Sequence, residues 1–174
     1  KARVTLKSDG TAVVQSDMTD IGTGTYTIVA QIAGEMLGIP IEKVLVELGD
    51  TNHPRGPGSG GSWGAASIGS AVYVACEALR EKLAHRAGTS ETELDLRDGS
   101  VVGGNSLVEL LDGEDISEVG HYEPGDIADS HTASGFGAFF AKVRVNRFTG
   151  ETRVDRMLGA FGFGRVLNEK TARS

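Results

Sequence analysis

The stretch Arg55-Gly-Pro-Gly-Ser-Gly-Gly-Ser-Trp-Gly-Ala-Ala-Ser67 determines how the middle of this chain is expected to fold. Its glycines allow positive φ angles and close approach of another group, so the loop can present several N–H groups to one ligand. A helix beginning at about Ala65 adds free N–H groups and the positive end of its dipole. The stretch therefore predicts a phosphate site, with the hydroxyls of Ser59 and Ser62 as further donors. A flexible Gly/Ser linker is the alternative, which Trp63 and the immediate helix disfavour.

The composition is that of a globular protein, and we predict that residues 1–174 form a single domain. Hydrophobic residues make up 39% of the chain and aromatic residues 6%, which allows a core without many large rings. The 25 glycines are roughly twice the usual share. The net charge of −7 and the lack of a basic run argue against nucleic acid or an anionic membrane as the main partner.

Cysteine content and the chain ends set further limits. Cys76 is the single cysteine, so the chain cannot form an internal disulfide, a CxxC zinc site or an iron–sulfur site of its own. No signal peptide and no apolar span long enough for a bilayer is present. The chain begins without Met and ends without a closing signal, so we expect a piece of a longer protein. The compartment, cytoplasmic or periplasmic, is not fixed by the sequence.

The first third of the chain predicts a hairpin, a helix and a strand. Residues 3–14 alternate around an Asp-Gly turn, which is typical of a β-hairpin. Asp20-Ile-Gly-Thr-Gly-Thr25 follows, and apolar residues then recur with helical spacing up to Gly38. Val44–Leu48 has the pattern of a buried strand. The Gly-Thr-Gly turn lies at a strand-to-helix junction, where N–H donors converge; a tight turn with a capping threonine is an equally simple interpretation.

The rest of the chain predicts a second main helix and further hairpins, which together indicate an α+β fold with antiparallel hairpins packed on two main helices. The helix around residues 71–83 places five residues on one face: Val72, Ala75, Cys76, Leu79 and Leu83. Cys76 is thus expected in the core, and His53 is expected on the surface of a loop. The remaining predictions are a hairpin at 93–102, a capped helix at 106–111, an acidic loop at 112–129 with a brief strand at 120–123, and a long antiparallel pair formed by 135–146 and 151–162.

Two loops, each followed by a helix, carry a resemblance to a known family. The loops are Asp20-Ile-Gly-Thr-Gly-Thr25 and Pro57-Gly-Ser-Gly-Gly-Ser-Trp-Gly-Ala-Ala-Ser67, with Leu37-Gly-Ile-Pro-Ile-Glu-Lys-Val44 between them and Ala71-Val-Tyr-Val-Ala-Cys76 beyond. Their order and spacing resemble the molybdopterin-binding large subunit of the xanthine dehydrogenase and aldehyde oxidase family, as does the stretch 164–174. The bacterial aldehyde-oxidising branch is most similar, because its first loop reads Gly-Thr-Gly. Thr23 stands where the xanthine enzymes carry a glutamine that helps to bind the pterin.

The resemblance implies part of a molybdenum hydroxylase that acts on aldehydes or N-heterocycles with water-derived oxygen. In such enzymes the metal is held by the dithiolene of molybdopterin, so no protein metal ligand is implied here. The resemblance also allows a cytosine dinucleotide form of the cofactor. The catalytic glutamate lies beyond Ser174, so the fragment is expected to be inactive alone. Implied partners are the remainder of the large subunit, iron–sulfur and FAD subunits or domains, and a small aldehyde or heterocycle. By position, the residues facing the cofactor are Gly22, Thr23 and Gly24 from one side, and Ser59, Gly60, Gly61 and Ser62 from the other.

Two other functions are compatible with the same glycine-rich loop. One is a phosphate- or nucleotide-binding module without redox activity, although neither GxxxxGK[ST] nor a GxGxxG after the first strand is present. The other is a structural lobe whose glycines allow close packing against neighbouring subunits.

Overall fold

The computed structural model describes residues 1–123, 125–132, 134–162 and 166, and the chain divides into two compact units, Lys1–Glu123 and residues 124–174. In the first unit the elements are β1 (Ala2–Leu6), β2 (Ala12–Ser16), α1 (Thr25–Leu37), a 3-10 helix (Ile41–Lys43), β3 (Val44–Leu48), α2 (Gly64–Ala87), β4 (Leu96–Arg97), β5 (Ser100–Val101), α3 (Leu107–Leu111) and β6 (Ile116–Gly120). In the second they are α4 (Ile127–Ser130), β7 (Phe136–Val145) and β8 (Thr152–Gly162). Apart from Val166, the stretch 164–174 that contributed to the resemblance lies outside the described residues.

A four-stranded sheet with the order β3-β2-β1-β6 forms the base of the first unit. The predicted hairpin is confirmed, because β1 and β2 are antiparallel and pair from Arg3↔Gln15 to Leu6↔Ala12. Strand β3 is parallel to β2, since α1 carries the chain back before β3 begins. The α+β class is therefore confirmed, with one parallel pair that the hairpin signals did not predict.

Helices α1 and α2 cover one face of this sheet. Strand β1 alternates between buried and half-buried residues, and Ala2, Val4 and Leu6 point into the core. Helix α2 extends beyond the predicted range at its C-terminal end, to Ala87, and its predicted apolar face is confirmed, because Val72, Ala75, Cys76, Leu79 and Leu83 are all fully buried. The core thus fixes the position of α2, and it thereby fixes the end of the loop that leads into this helix.

Two strand predictions need correction. Strand β3 has the predicted bounds, but it lies at the sheet edge and Leu45 is 56% exposed, so it is not the buried strand expected from its apolar run. The brief strand predicted at 120–123 is β6, at Ile116–Gly120, where it pairs with β1. Its acidic surroundings hid it, yet Ile116 is buried and Glu118 forms an ion pair with Lys82.

Three other secondary-structure predictions are confirmed. The Asp-Gly turn near residue 98 joins two very short strands, β4 and β5. Helix α3 begins with a capping box, in which the Ser106 hydroxyl accepts a hydrogen bond from the Glu109 amide and the Glu109 carboxylate accepts one from the Ser106 amide. In the second unit β7 and β8 form the long antiparallel pair. Among the described residues, no helix is both long and apolar enough to cross a membrane.

Candidate functional site

The two glycine loops begin at the same edge of the sheet. The first loop (residues 17–24) follows β2 and leads into α1, while the second loop (residues 49–63) follows β3 and leads into α2. Strands β2 and β3 are parallel, and their last residues, Ser16 and Leu48, are register partners. In sheets with parallel strands, ligands bind at this carboxyl edge. The topology therefore brings together two loops that are distant in sequence.

Hydrogen bonds connect the beginning of the first loop to the second loop. The Asp17 amide donates to the Pro54 carbonyl at 3.0 Å, and the Asp17 carboxylate accepts a short hydrogen bond from the Gly56 amide. Met18 is 2% exposed and lies under both ends of the glycine-rich stretch: a Cβ at Gly56 would be 3.0 Å from Met18 Cβ, and one at Gly64 would be 2.6 Å from Met18 Cε. A Cβ at Gly56 would come still closer to Ser16 Oγ, at 2.3 Å, so Ser16 and Met18 together leave no space for a side chain there, whereas a side chain at Gly64 would have to displace the flexible end of Met18.

In the second loop, Trp63 donates two hydrogen bonds to preceding carbonyls of the same loop. Its indole Nε1 donates to the Gly58 carbonyl at 2.7 Å, and its backbone amide donates to the Gly60 carbonyl at 3.2 Å. Gly61 has φ of 50° and Ser62 of 58°, so both adopt the left-handed conformation, which is uncommon for serine. Within the described part of the chain, Ser59, Gly60, Gly61 and Ser62 use none of their amides to donate a hydrogen bond.

These free amides are exposed and lead directly into α2. Residues 58–63 are all exposed, and α2 begins at Gly64 without a side-chain cap on its first amides. The predicted start at about Ala65 is thus confirmed to within one residue. A run of unpaired, exposed N–H groups joined to the N-terminus of a long helix provides strong donors for an anion. The second loop therefore has the chemistry of a phosphate site.

The first loop is different, because the amides of Gly22 and Thr23 are already used. The Asp20 Oδ1 atom accepts hydrogen bonds from the Gly22 amide at 3.0 Å and the Thr23 amide at 3.1 Å. The Thr23 hydroxyl contacts the same oxygen at 3.3 Å. Gly22 and Gly24 have φ of 93° and 86°, and a Cβ on either would meet nothing within 4 Å. The bare backbone can be approached closely, but the amides of Gly22 and Thr23 point at Asp20.

Two opposing effects act on the pKa of the Asp20 carboxyl. Desolvation raises it, while hydrogen bonds from the Gly22 and Thr23 amides, the Thr23 hydroxyl and the Tyr26 amide lower it. The hydrogen bonds prevail, so the pKa lies below its usual value and Asp20 is charged at neutral pH. An Asp two residues before a Gly-x-Gly is the sequence signal that could have predicted this turn.

His53 is placed differently from its prediction. It lies in the second loop, but its side chain is 13% exposed, so it is not a surface histidine. Its Nε2 atom is 3.9 Å from Glu47 Oε2 and 4.0 Å from Asp50 Oδ2, and its Nδ1 atom is buried without a hydrogen-bond partner. The burial follows from the loop folding back beside β3. Among the described residues, no group of three His, Cys, Asp or Glu side chains is arranged to bind a metal.

Cys76 lies in the core of α2, as predicted. Desolvation by burial raises the pKa of its thiol to about 12, so the thiolate is not formed at neutral pH. Cys76 is therefore a packing residue and takes no part in the site.

Comparison with known proteins places the chain in a family. The profile of the molybdopterin cofactor-binding domain matches residues 1–174. The chain is 46% identical over 176 residues to the aldehyde oxidoreductase molybdenum-binding subunit of Escherichia coli (strain K12), covering 99% of this chain and 24% of that protein. It is 36% identical over 119 residues to the nicotine 6-hydroxylase large subunit of Paenarthrobacter nicotinovorans, covering 64% of this chain and 15% of that protein.

The fold agrees with these matches. The crystal structure of quinoline 2-oxidoreductase from Pseudomonas putida 86 superposes with a TM-score of 0.75 at 23% identity, covering 99% of this chain and 24% of that chain. The present chain thus spans about a quarter or less of the length of these relatives. The resemblance drawn from the two loops is confirmed, and the chain belongs to the family of molybdopterin cofactor-binding domains.

Proposed function

We propose that the second loop holds the phosphate end of molybdopterin, with Ser59, Gly60, Gly61 and Ser62 as the binding residues. The observation that carries this proposal is the run of exposed, unpaired amides at the start of α2. Phosphate oxygens accept hydrogen bonds from such amides, and the helix dipole favours negative charge at the same place. The hydroxyls of Ser59 and Ser62 provide additional donors next to these amides.

The open space at these positions fits a bulky ligand. A Cβ at Gly58 would meet nothing within 4 Å, and one at Gly60 would meet only Trp63 at 4.0 Å. The loop surface is therefore free on the side that the glycines leave bare. The first loop, with Gly22, Thr23 and Gly24, lies at the same sheet edge and would contact another part of the same cofactor.

We further propose that residues 1–174 form part of one cofactor-binding domain in a larger oxidoreductase that hydroxylates aldehydes or N-heterocycles. When bound, the molybdenum centre of the cofactor supplies the redox chemistry, while the residues of this chain bind and orient it. The support is the 46% identity to an aldehyde oxidoreductase subunit. The dinucleotide form of the pterin, and iron–sulfur and FAD groups on partner domains, are part of this proposal. None of the matches supports the redox-inactive nucleotide module.

A bulky residue at Gly60 tests the proposed site. Gly60 has room for a side chain and does not require a positive φ, so Gly60→Leu should fold while covering the amides. We expect the complete molybdenum-binding subunit carrying this change to lose most of its molybdenum and pterin, measured by metal analysis and pterin fluorescence. Gly104→Leu is the matched control, because Gly104 is exposed, lies outside both loops and has its nearest neighbour at 3.4 Å. Normal cofactor content in a folded Gly60→Leu subunit would refute the assignment.

A further inference from the structure

The two loops at the site differ in the groups that they present. The second loop offers several unpaired N–H groups and no carboxylate between Gly58 and Trp63. In the first loop, by contrast, the Gly22 amide, the Thr23 amide and the Thr23 hydroxyl are all engaged by one oxygen of Asp20. The first loop therefore presents a negative charge beside the amides of Gly24 and Thr25, where α1 begins without a side-chain cap.

The carboxylate of Asp20 has capacity for further bonds. An ionised carboxylate has about four lone-pair positions, and Asp20 Oδ1 is the acceptor of all three hydrogen bonds from Gly22 and Thr23. Asp20 is half-buried, so part of the group remains accessible. Such a group attracts N–H donors and repels phosphate, since like charges that lie close together destabilise one another.

We propose that Asp20 sets the direction in which the cofactor lies across the two loops. Its carboxylate accepts hydrogen bonds from N–H groups of the pterin heterocycle and prevents the phosphate from binding to the first loop. The phosphate is thereby directed to the amides of the second loop. Asp20 is a positioning and specificity residue in this view, and the inference rests on the function proposed above.

Asp20→Asn separates the charge of this residue from its support of the loop. Asparagine keeps a carbonyl oxygen that can accept from the Gly22 and Thr23 amides, so the turn is retained while the negative charge is lost. The matched control is Asp9→Asn. Asp9 Oδ1 accepts from the Thr11 amide at 2.9 Å and the Thr11 hydroxyl at 2.7 Å in the turn between β1 and β2, which precedes β2 and so lies at the opposite end of that strand from the site.

The experiment uses the complete molybdenum-binding subunit in two forms. The cofactor-free form is titrated with inorganic pyrophosphate by calorimetry, and the loaded form is assayed for retained pterin. We expect Asp20→Asn to bind pyrophosphate on the order of tenfold more tightly, or at a second site, because the repelling charge is gone. Pterin retention should fall several-fold, while Asp9→Asn matches the wild type. Hydrogen exchange of the peptide containing Gly22 and Thr23 verifies that the turn is intact.

Unchanged pyrophosphate binding and pterin retention in Asp20→Asn would overturn the inference. So would lower retention accompanied by faster exchange at Gly22 and Thr23, because Asp20 would then serve only to support the turn. The Gly60→Leu subunit distinguishes a failure of the proposed role of Asp20 from a failure of the proposed function. If Gly60→Leu loses pterin and Asp20→Asn does not, only the role of Asp20 is refuted. If Gly60→Leu retains pterin fully, the proposed function fails, and the inference fails with it.

Discussion

Gly120→Ala tests whether the packing of β6 against α2 positions the second loop. A Cβ at Gly120 would lie 1.9 Å from the Ala71 carbonyl oxygen and 2.6 Å from the Ala75 amide nitrogen, whereas real Cβ atoms essentially never approach within 3.0 Å. Both obstacles are helix backbone, which cannot rotate away as a side chain can. The methyl group can therefore be accommodated only if β6 and α2 move apart by about 1 Å or more.

The magnitude follows from two opposing terms. Overpacking of this kind costs about 3 kcal/mol, at the upper end of the usual range, because the backbone itself must move. Replacing glycine by alanine at a position without positive φ recovers up to about 1 kcal/mol from the unfolded chain. We expect a net loss of about 2 kcal/mol in the free energy of unfolding, which lowers Tm by about 4–8 °C for a chain of this length.

Thermal unfolding of the chain, followed by circular dichroism, measures this effect. Gly104→Ala is the control, since Gly104 is exposed and its nearest neighbour, Val101, lies at an ordinary contact distance of 3.4 Å. Its Tm should stay within about 2 °C of the wild type. If Gly120→Ala unfolds at or above the temperature of the control, the close approach of β6 to α2 is not what fixes the helix.

Three further predictions follow from buried or hydrogen-bonded groups. Met18→Ala should lower the free energy of unfolding by about 2–4 kcal/mol in urea titrations and reduce pterin retention, because Met18 supports both ends of the glycine-rich stretch; retention equal to wild type would show that the loop does not need this support. Cys76 should resist alkylation at pH 7.5 until the protein is unfolded, since burial raises its thiol pKa to about 12; rapid labelling of the native protein would contradict its place in the core. The pKa of Asp115 is lowered first by the hydrogen bond from Lys7, and that of Asp9 by the hydrogen bonds from Thr11. A carboxyl whose pKa is lowered by folding stabilises the folded state at pH values above its unfolded pKa of about 4, and this stabilisation is lost as the pH falls through its folded pKa. Tm should therefore be level above pH about 5 and decline below about 4. A Tm that rises on acidification would contradict this expected direction.

Local chemistry explains why much of the fold could be predicted. Asp-Gly turns between alternating residues identify the hairpins, and the five-residue apolar face of α2 is a direct consequence of helical spacing. The glycine-rich stretch before α2 predicted both the start of the helix and the exposed amides. Each of these features depends on residues that are close together in the sequence.

The features that sequence reasoning missed depend on distant contacts. The burial of Met18 beneath Gly56 and Gly64 joins segments about 40 residues apart, and no local pattern encodes it. Strand β6 could be recognised only from its pairing with β1, across more than 100 residues. His53 has a loop sequence and yet is partly buried, because the loop folds back towards Glu47. Asp20 is the exception, since an Asx turn at a Gly-x-Gly is a local signal.

We propose above that the amides of the second loop hold the phosphate of molybdopterin. A structure of the complete subunit with its cofactor bound tests this claim most directly, through the distances from the phosphate oxygens to the amide nitrogens of Ser59, Gly60, Gly61 and Ser62. We expect at least two of these distances to be about 2.7–3.2 Å. A phosphate bound elsewhere, with these four amides facing solvent or other backbone carbonyls, would contradict it.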